Sequence, residues 1–166
     1  MEIQPPTQPN TTTPTSWGQV AFWSLIPAIL IIPAWIAFGR GIFGVSGWNM
    51  LIFALTLLPL SLLYHILIEV LAWFGPVKRS LSNKVTLLLG IYYLAVLVFG
   101  ISLIDYSDVT NSENSGLMVL GFSEIFTNVM TALSALLVVG TAITIVVFLI
   151  MDIVKARKAK IQNTTV

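Results

Sequence analysis

Residues 48–74 read WNMLIFALTLLPLSLLYHILIEVLAWF, an apolar run whose only histidine and only carboxylate are His65 and Glu69. As one helix it would be about 40 Å long, more than the roughly 30 Å needed to cross a hydrocarbon core. A helix that is apolar on nearly all sides belongs inside a large protein or inside a bilayer. The chain has 166 residues, 57% of them hydrophobic and 9% charged. A soluble domain carries about 25% charged residues, so polar surface is short here. The run is expected to span a membrane, with a tilt or a bend near Pro59 absorbing its excess length.

Three further runs repeat the pattern. Trp17 to Phe38 would be about 33 Å long as a helix, and it contains Pro27 and Pro33, each removing a backbone donor and favouring a bend. Residues 85–104 have ordinary spanning length. The fourth span is placed at 125–151, with 117–124 lying at the membrane surface or extending the helix outward. Trp17, Trp48, Trp73 and Tyr106 fall near the predicted ends, as interfacial aromatic residues do. Residues 1–16, MEIQPPTQPNTTTPTS, lack periodicity and are read as a disordered Pro/Thr-rich tail. Glu2 is the only charge before the first run, so a cleaved signal peptide is not expected. Residues 152–166 form a basic tail. The fold class expected is therefore all-α: an integral membrane four-helix bundle with short loops, its membrane domain covering 17–151.

Charge placement gives an orientation. Of the eight Lys and Arg residues, seven (Lys78, Arg79, Lys84, Lys155, Arg157, Lys158 and Lys160) fall on one side of a four-span chain. Arg40 stands opposite, with Asp105, Asp108, Glu113 and Glu124. The positive-inside rule then predicts both termini in the cytoplasm, with the plasma membrane as the expected location. The acceptor patterns at Asn10 and Asn163 would face the cytoplasm and are discounted as glycosylation sites.

Motifs for chemistry are sparse. GRGIFG, residues 39–44, has the spacing of a dinucleotide loop but lacks a preceding strand, so it is read as a flexible connector; Arg40 could grip a lipid headgroup or a partner carboxylate, but nothing in the sequence selects this over solvation. DYSDVTNSENSG, residues 105–116, lacks calcium-loop spacing and is read as a solvated polar connector. KARKAK, residues 155–160, fits anchoring to an anionic leaflet. There is no H-E-x-x-H, Walker A or G-x-S-x-G pattern. Cysteine is absent, which excludes thiolate catalysis and thiolate metal sites within the chain. No catalytic residue, cofactor or metal site is expected, and the charge balance gives no case for nucleic acid.

Two sets of residues remain. On the second span Ala54, Leu58, Ser61, His65, Glu69 and Ala72 share one side at 100° per residue. This makes His65 and Glu69 an intramembrane polar pair at i, i+4 spacing. Either it is a hydrogen-bonded pair that fixes packing, or it is a proton-linked pair. On the fourth span Thr127, Thr131 and Ala135 recur every four residues, and Gly140 and Thr144 continue the spacing on a neighbouring face. Small side chains at this spacing let helices approach closely. The function expected is a non-enzymatic accessory or scaffold subunit of a larger membrane assembly. The alternative is a small proton-coupled transporter or membrane enzyme using His65 and Glu69. The expected partners are the lipid bilayer and either other membrane subunits or further copies of the chain.

Overall fold

The structure, a computed structural model, describes residues 15–45, 47–77, 79–107 and 112–164. Residues 1–14 of the tail expected over 1–16, Lys78 and Asp108 lie outside these residues, while Thr15 and Ser16 instead cap and begin the first helix. The described residues are nearly all helical. Four helical stretches, Ser16–Phe43, Trp48–Trp73, Asn83–Ser102 and Glu124–Gln162, are long and apolar enough to cross a membrane.

Helix α1, Ser16–Phe38, starts where the Thr15 side chain accepts the Gly18 amide at 3.1 Å. This satisfies one of the donors that a helix start leaves open. Pro27 and Pro33 lie inside α1, so the carbonyls of Trp23 and Ile29 lose their usual rungs. The helix buries Phe22, Leu25 and Ala28 on its inner stripe and continues into a 3-10 turn, Gly39–Phe43.

The second run divides into α2, Trp48–Leu55, and α3, Leu57–Trp73. Proline cannot donate to the carbonyl four residues back, so Pro59 leaves the Leu55 carbonyl open. The break falls at Thr56, whose hydroxyl and amide both return to the Ile52 carbonyl, at 2.7 and 3.0 Å. The expected bend near Pro59 thus occurs three residues before it.

Helix α4, Asn83–Ser102, is followed by a two-stranded hairpin, β1 Asp105–Ser107 and β2 Ser112–Asn114, paired antiparallel. A single turn, α5 Gly116–Val119, comes next, with the Ser115 hydroxyl accepting the Met118 amide at 3.1 Å. Gly121, at φ +93, supplies the left-handed residue that turns the chain into α6. Helix α6, Glu124–Thr164, runs unbroken through the basic residues that follow the fourth apolar run. Residues 155–160, KARKAK, are all good helix formers, and no Gly or Pro follows to stop the helix before Thr164.

The packing order is α3, α1, α4, α6, because α4 packs most on α6 and α1 packs on both α3 and α4. Helices α3 and α6 touch only lightly. Phe22, Leu25, Ile68, Leu89, Val96 and Ile145 form the centre of the core. The outer flanks are apolar, with Leu30 70%, Leu55 71%, Leu136 72% and Ile125 79% exposed. Large apolar side chains exposed on so many turns are compatible with an integral membrane protein.

The ends of the bundle differ. Arg79 lies 5.8 Å from the Trp23 ring, and Lys84 lies 5.8 Å from that of Phe148. These contacts gather the basic connector, the early part of α1 and the later part of α6 at one end. At the other end the two loops read as solvated connectors are interlocked. Arg40 Nε lies 3.2 Å from Asp105 Oδ2, and both side chains are 1% exposed. Asp105 Oδ1 accepts the Asn49 amide in the first turn of α2 at 2.8 Å, and the Asn49 side chain donates to the Ile104 carbonyl at 2.8 Å. The guanidinium lies 5.0 Å from the centre of the Phe53 ring. This corrects the reading of GRGIFG and of the start of DYSDVTNSENSG. Arg40 is buried against a carboxylate of its own chain, and one carboxylate serves both the guanidinium and the positive end of α2.

Candidate functional site

Helix α3 turns one polar seam inward. Ser61, His65, Ile68, Glu69 and Ala72 are its buried residues, at the spacing that 3.6 residues per turn requires. His65 is fully buried and Glu69 is 9% exposed.

The two side chains nevertheless use different partners. His65 Nδ1–H donates to the Ser61 carbonyl at 2.7 Å, one turn earlier. A neutral imidazole held this way keeps its proton on Nδ1 and presents Nε2 as an acceptor. Glu69 Oε1 accepts the indole N–H of Trp73 at 2.8 Å, one turn later. The other atom of each group, His65 Nε2 and Glu69 Oε2, is buried without a hydrogen-bond partner among the described residues. The seam is thus two separate i, i+4 units placed end to end, with no hydrogen bond or ion pair joining His65 to Glu69 among the described residues.

Aromatic rings enclose the histidine. Tyr64 lies edge-on at 5.4 Å between ring centres, and Tyr92 of α4 lies at 5.7 Å. Tyr64 and Tyr92 are 5.5 Å apart, and Tyr93 is 5.8 Å from Tyr92. The Tyr64 hydroxyl donates across to the Ala142 carbonyl of α6 at 3.2 Å. That bond joins the two helices that otherwise barely meet.

A cleft of about 340 Å³ lies between α3 and α6, lined by Ile36, Ser61, Tyr64, Tyr92, Ala135 and Ala142 among others. His65, Glu69 and Tyr93 do not line it. Among the described residues no three His, Cys, Asp or Glu side chains converge as a metal site would require.

The small-residue spacing of α6 divides between two environments. Thr127 is fully buried, and the Thr131 hydroxyl donates at 2.9 Å both to the Thr127 carbonyl and to the Ser102 carbonyl of α4. Ala135 lines the cleft. Gly140 is exposed, and a Cβ added there would meet nothing within 4 Å. Thr144 returns its hydroxyl to the Gly140 carbonyl at 2.7 Å. The stripe that packs within the chain instead continues through Ser134, Thr141, Ile145 and Leu149. Their spacing of seven, four and four residues was available in the sequence. It was obscured because Ser134 and Thr141 look polar until their hydroxyls are seen bonded to carbonyls of their own helix.

Compared with protein families, curated proteins and solved structures, the chain shows no significant match.

Proposed function

We propose that this chain is a four-span integral membrane protein of the plasma membrane, with both termini cytoplasmic, acting as a non-enzymatic accessory or scaffold subunit of a larger membrane assembly. The observation that carries this reading is the way His65 and Glu69 are held. Each is anchored to its own helix, neither lines the cleft, and among the described residues no hydrogen bond links them. With the His65 ring beside Tyr92 of α4 and the Trp73 ring against Phe22 of α1, the seam supports a packing role for α3 rather than proton transfer. The apolar flanks are the surface on which lipid and neighbouring subunits would pack. The orientation rests on the clustering of basic residues at one end of the bundle, opposite Arg40 and Asp105.

The second reading, a small proton-coupled transporter or membrane enzyme using His65 and Glu69, is favoured by one observation. Both groups keep a buried atom, Nε2 and Oε2, without a partner. Titratable groups left in this state inside a span are commonly functional.

Substitution of Glu69 separates the two. In the subunit reading, Glu69→Gln keeps the bond from Trp73, since an amide oxygen accepts it, and the proteins co-purifying in mild detergent are unchanged. Glu69→Leu removes the acceptor and weakens folding or assembly by about 1–3 kcal/mol, the cost of stranding a buried donor. In the transport reading, Glu69→Gln already abolishes flux driven by a pH gradient while assembly is retained. Wild-type assembly and activity in Glu69→Leu would reject both.

The threading is tested independently. The chain has no cysteine, so single cysteines report without background. Cysteines at Ser82 and at Ser112 should react with an impermeant thiol reagent from opposite sides of sealed vesicles. Reaction of both from the same side would exclude a crossing by α4.

A further inference from the structure

We propose that the cleft between α3 and α6 is a seat for one acyl chain of a bilayer phospholipid, entering from the leaflet at the Arg40–Asp105 end. This rests on the membrane reading above.

The cleft opens sideways. Its rim residues Leu60, Val139 and Ile143 are about as exposed as the outer flanks, at 62%, 58% and 60%. Its position along the helices is also defined. On α3 and α6 it occupies the middle of the apolar runs, and on α1 and α4 it reaches Ile36 and Phe99, close to the Arg40–Asp105 end. Towards the other end it is closed, because Ile68, Ala72, Val85 and Leu89 pack together there. A molecule entering it therefore comes from the bilayer interior or from the leaflet nearer Arg40.

The lining selects the chemistry. It is apolar except for Ser61, Tyr64 and Tyr92. The Tyr64 hydroxyl is already committed to the Ala142 carbonyl. A water needs two to four polar partners, and this surface does not offer them along its length. An empty cleft would forfeit dispersion contact along all of its walls. A flexible hydrocarbon chain supplies that contact and is the solvent already present at the rim. The Tyr64–Ala142 bond, one helical turn from Leu60, holds α3 and α6 apart by a fixed amount and so keeps the seat open.

The test uses the full chain in phosphatidylcholine vesicles in which one acyl chain carries a mid-chain diazirine. Photolysis followed by peptide mapping should place adducts on Leu57–Tyr64 and on Ala135–Ile143 in clear excess over Leu30–Ile31, an equally exposed apolar segment outside the cleft. Ala135→Phe and, separately, Val139→Trp should abolish that excess while leaving labelling at Leu30–Ile31 unchanged. Val139 is a rim residue, so its replacement fills the opening without entering the core. Equal labelling of all exposed segments, or an excess that survives both substitutions, would overturn the acyl-chain seat and leave the membrane reading standing. Cleft adducts that are absent from the self-associated chain and return when it is diluted to monomer would assign the cleft to a second copy and also overturn the proposal. Absence of labelling on every helix would overturn the membrane reading itself.

Discussion

Asp105→Ala should destabilise the protein by about 3–5 kcal/mol, the range found when one partner of a buried ion pair is removed. Arg40 would be left with a buried guanidinium beside the Phe53 ring, its Nη1 and Nη2 already lacking hydrogen-bond partners among the described residues. The same substitution removes the acceptor for the Asn49 amide, so α2 loses the group at its positive end. Arg40→Met should cost less, because the Asp105 carboxylate keeps the Asn49 amide and the favourable field of α2. The double variant Arg40→Met with Asp105→Asn should recover most of the loss, since an asparagine oxygen can still accept from Asn49 and no charge stays buried. Unfolding midpoints of the four proteins in one detergent give the order. An Asp105→Ala protein as stable as wild type would mean that the guanidinium reaches water, and that the interlocked loops do not close this end of the bundle.

This ion pair also shows where sequence reading runs out. The four apolar stretches were legible because length and hydrophobicity act locally, within one helix. Even the inward side of α3 was legible, since the 3.6-residue period places Ser61, His65 and Glu69 together without knowledge of any neighbour. What those groups bond to was not legible. The Ser61 carbonyl and the Trp73 indole compete with a direct His65–Glu69 contact, and all three are one turn apart on the same helix, so spacing cannot rank them. Arg40 and Asp105 were further out of reach. Each sits in a polar connector that reads as solvated, and their partnership depends on how α1, α2 and α4 end in space. The same limit applies to the cleft, which arises because α3 and α6 pack on the intervening pair more than on each other.

Glycine gives the sharpest case, because a glycine in an apolar helix looks the same in sequence whether it touches a neighbour or nothing. Gly18 and Gly140 are expected to respond oppositely to replacement by leucine. A Cβ at Gly18 would come within 3.0 Å of the Leu81 carbonyl, the Ser80 hydroxyl and the Thr15 hydroxyl. The Gly18 carbonyl also accepts the Leu81 amide at 3.0 Å, and Thr15 donates to Asn83 Oδ1 at 3.1 Å. The start of α1 is therefore pressed against the backbone leading into α4, and backbone cannot rotate aside as a side chain can. Gly18→Leu should cost about 3 kcal/mol, the upper part of the range for overpacking, with Gly18→Ala smaller but in the same direction. Gly140→Leu should leave unfolding of the isolated chain within about 0.5 kcal/mol of wild type, as for other exposed positions. Its informative readout is association. If Gly140 and Thr144 meet another subunit, Gly140→Leu reduces co-purification while the unfolding midpoint holds. If they face lipid, both measurements stay unchanged. A Gly18→Leu protein with an unchanged midpoint would show that α1 and the start of α4 do not pack at this distance. The α3, α1, α4, α6 order would then lose one of its fixed points.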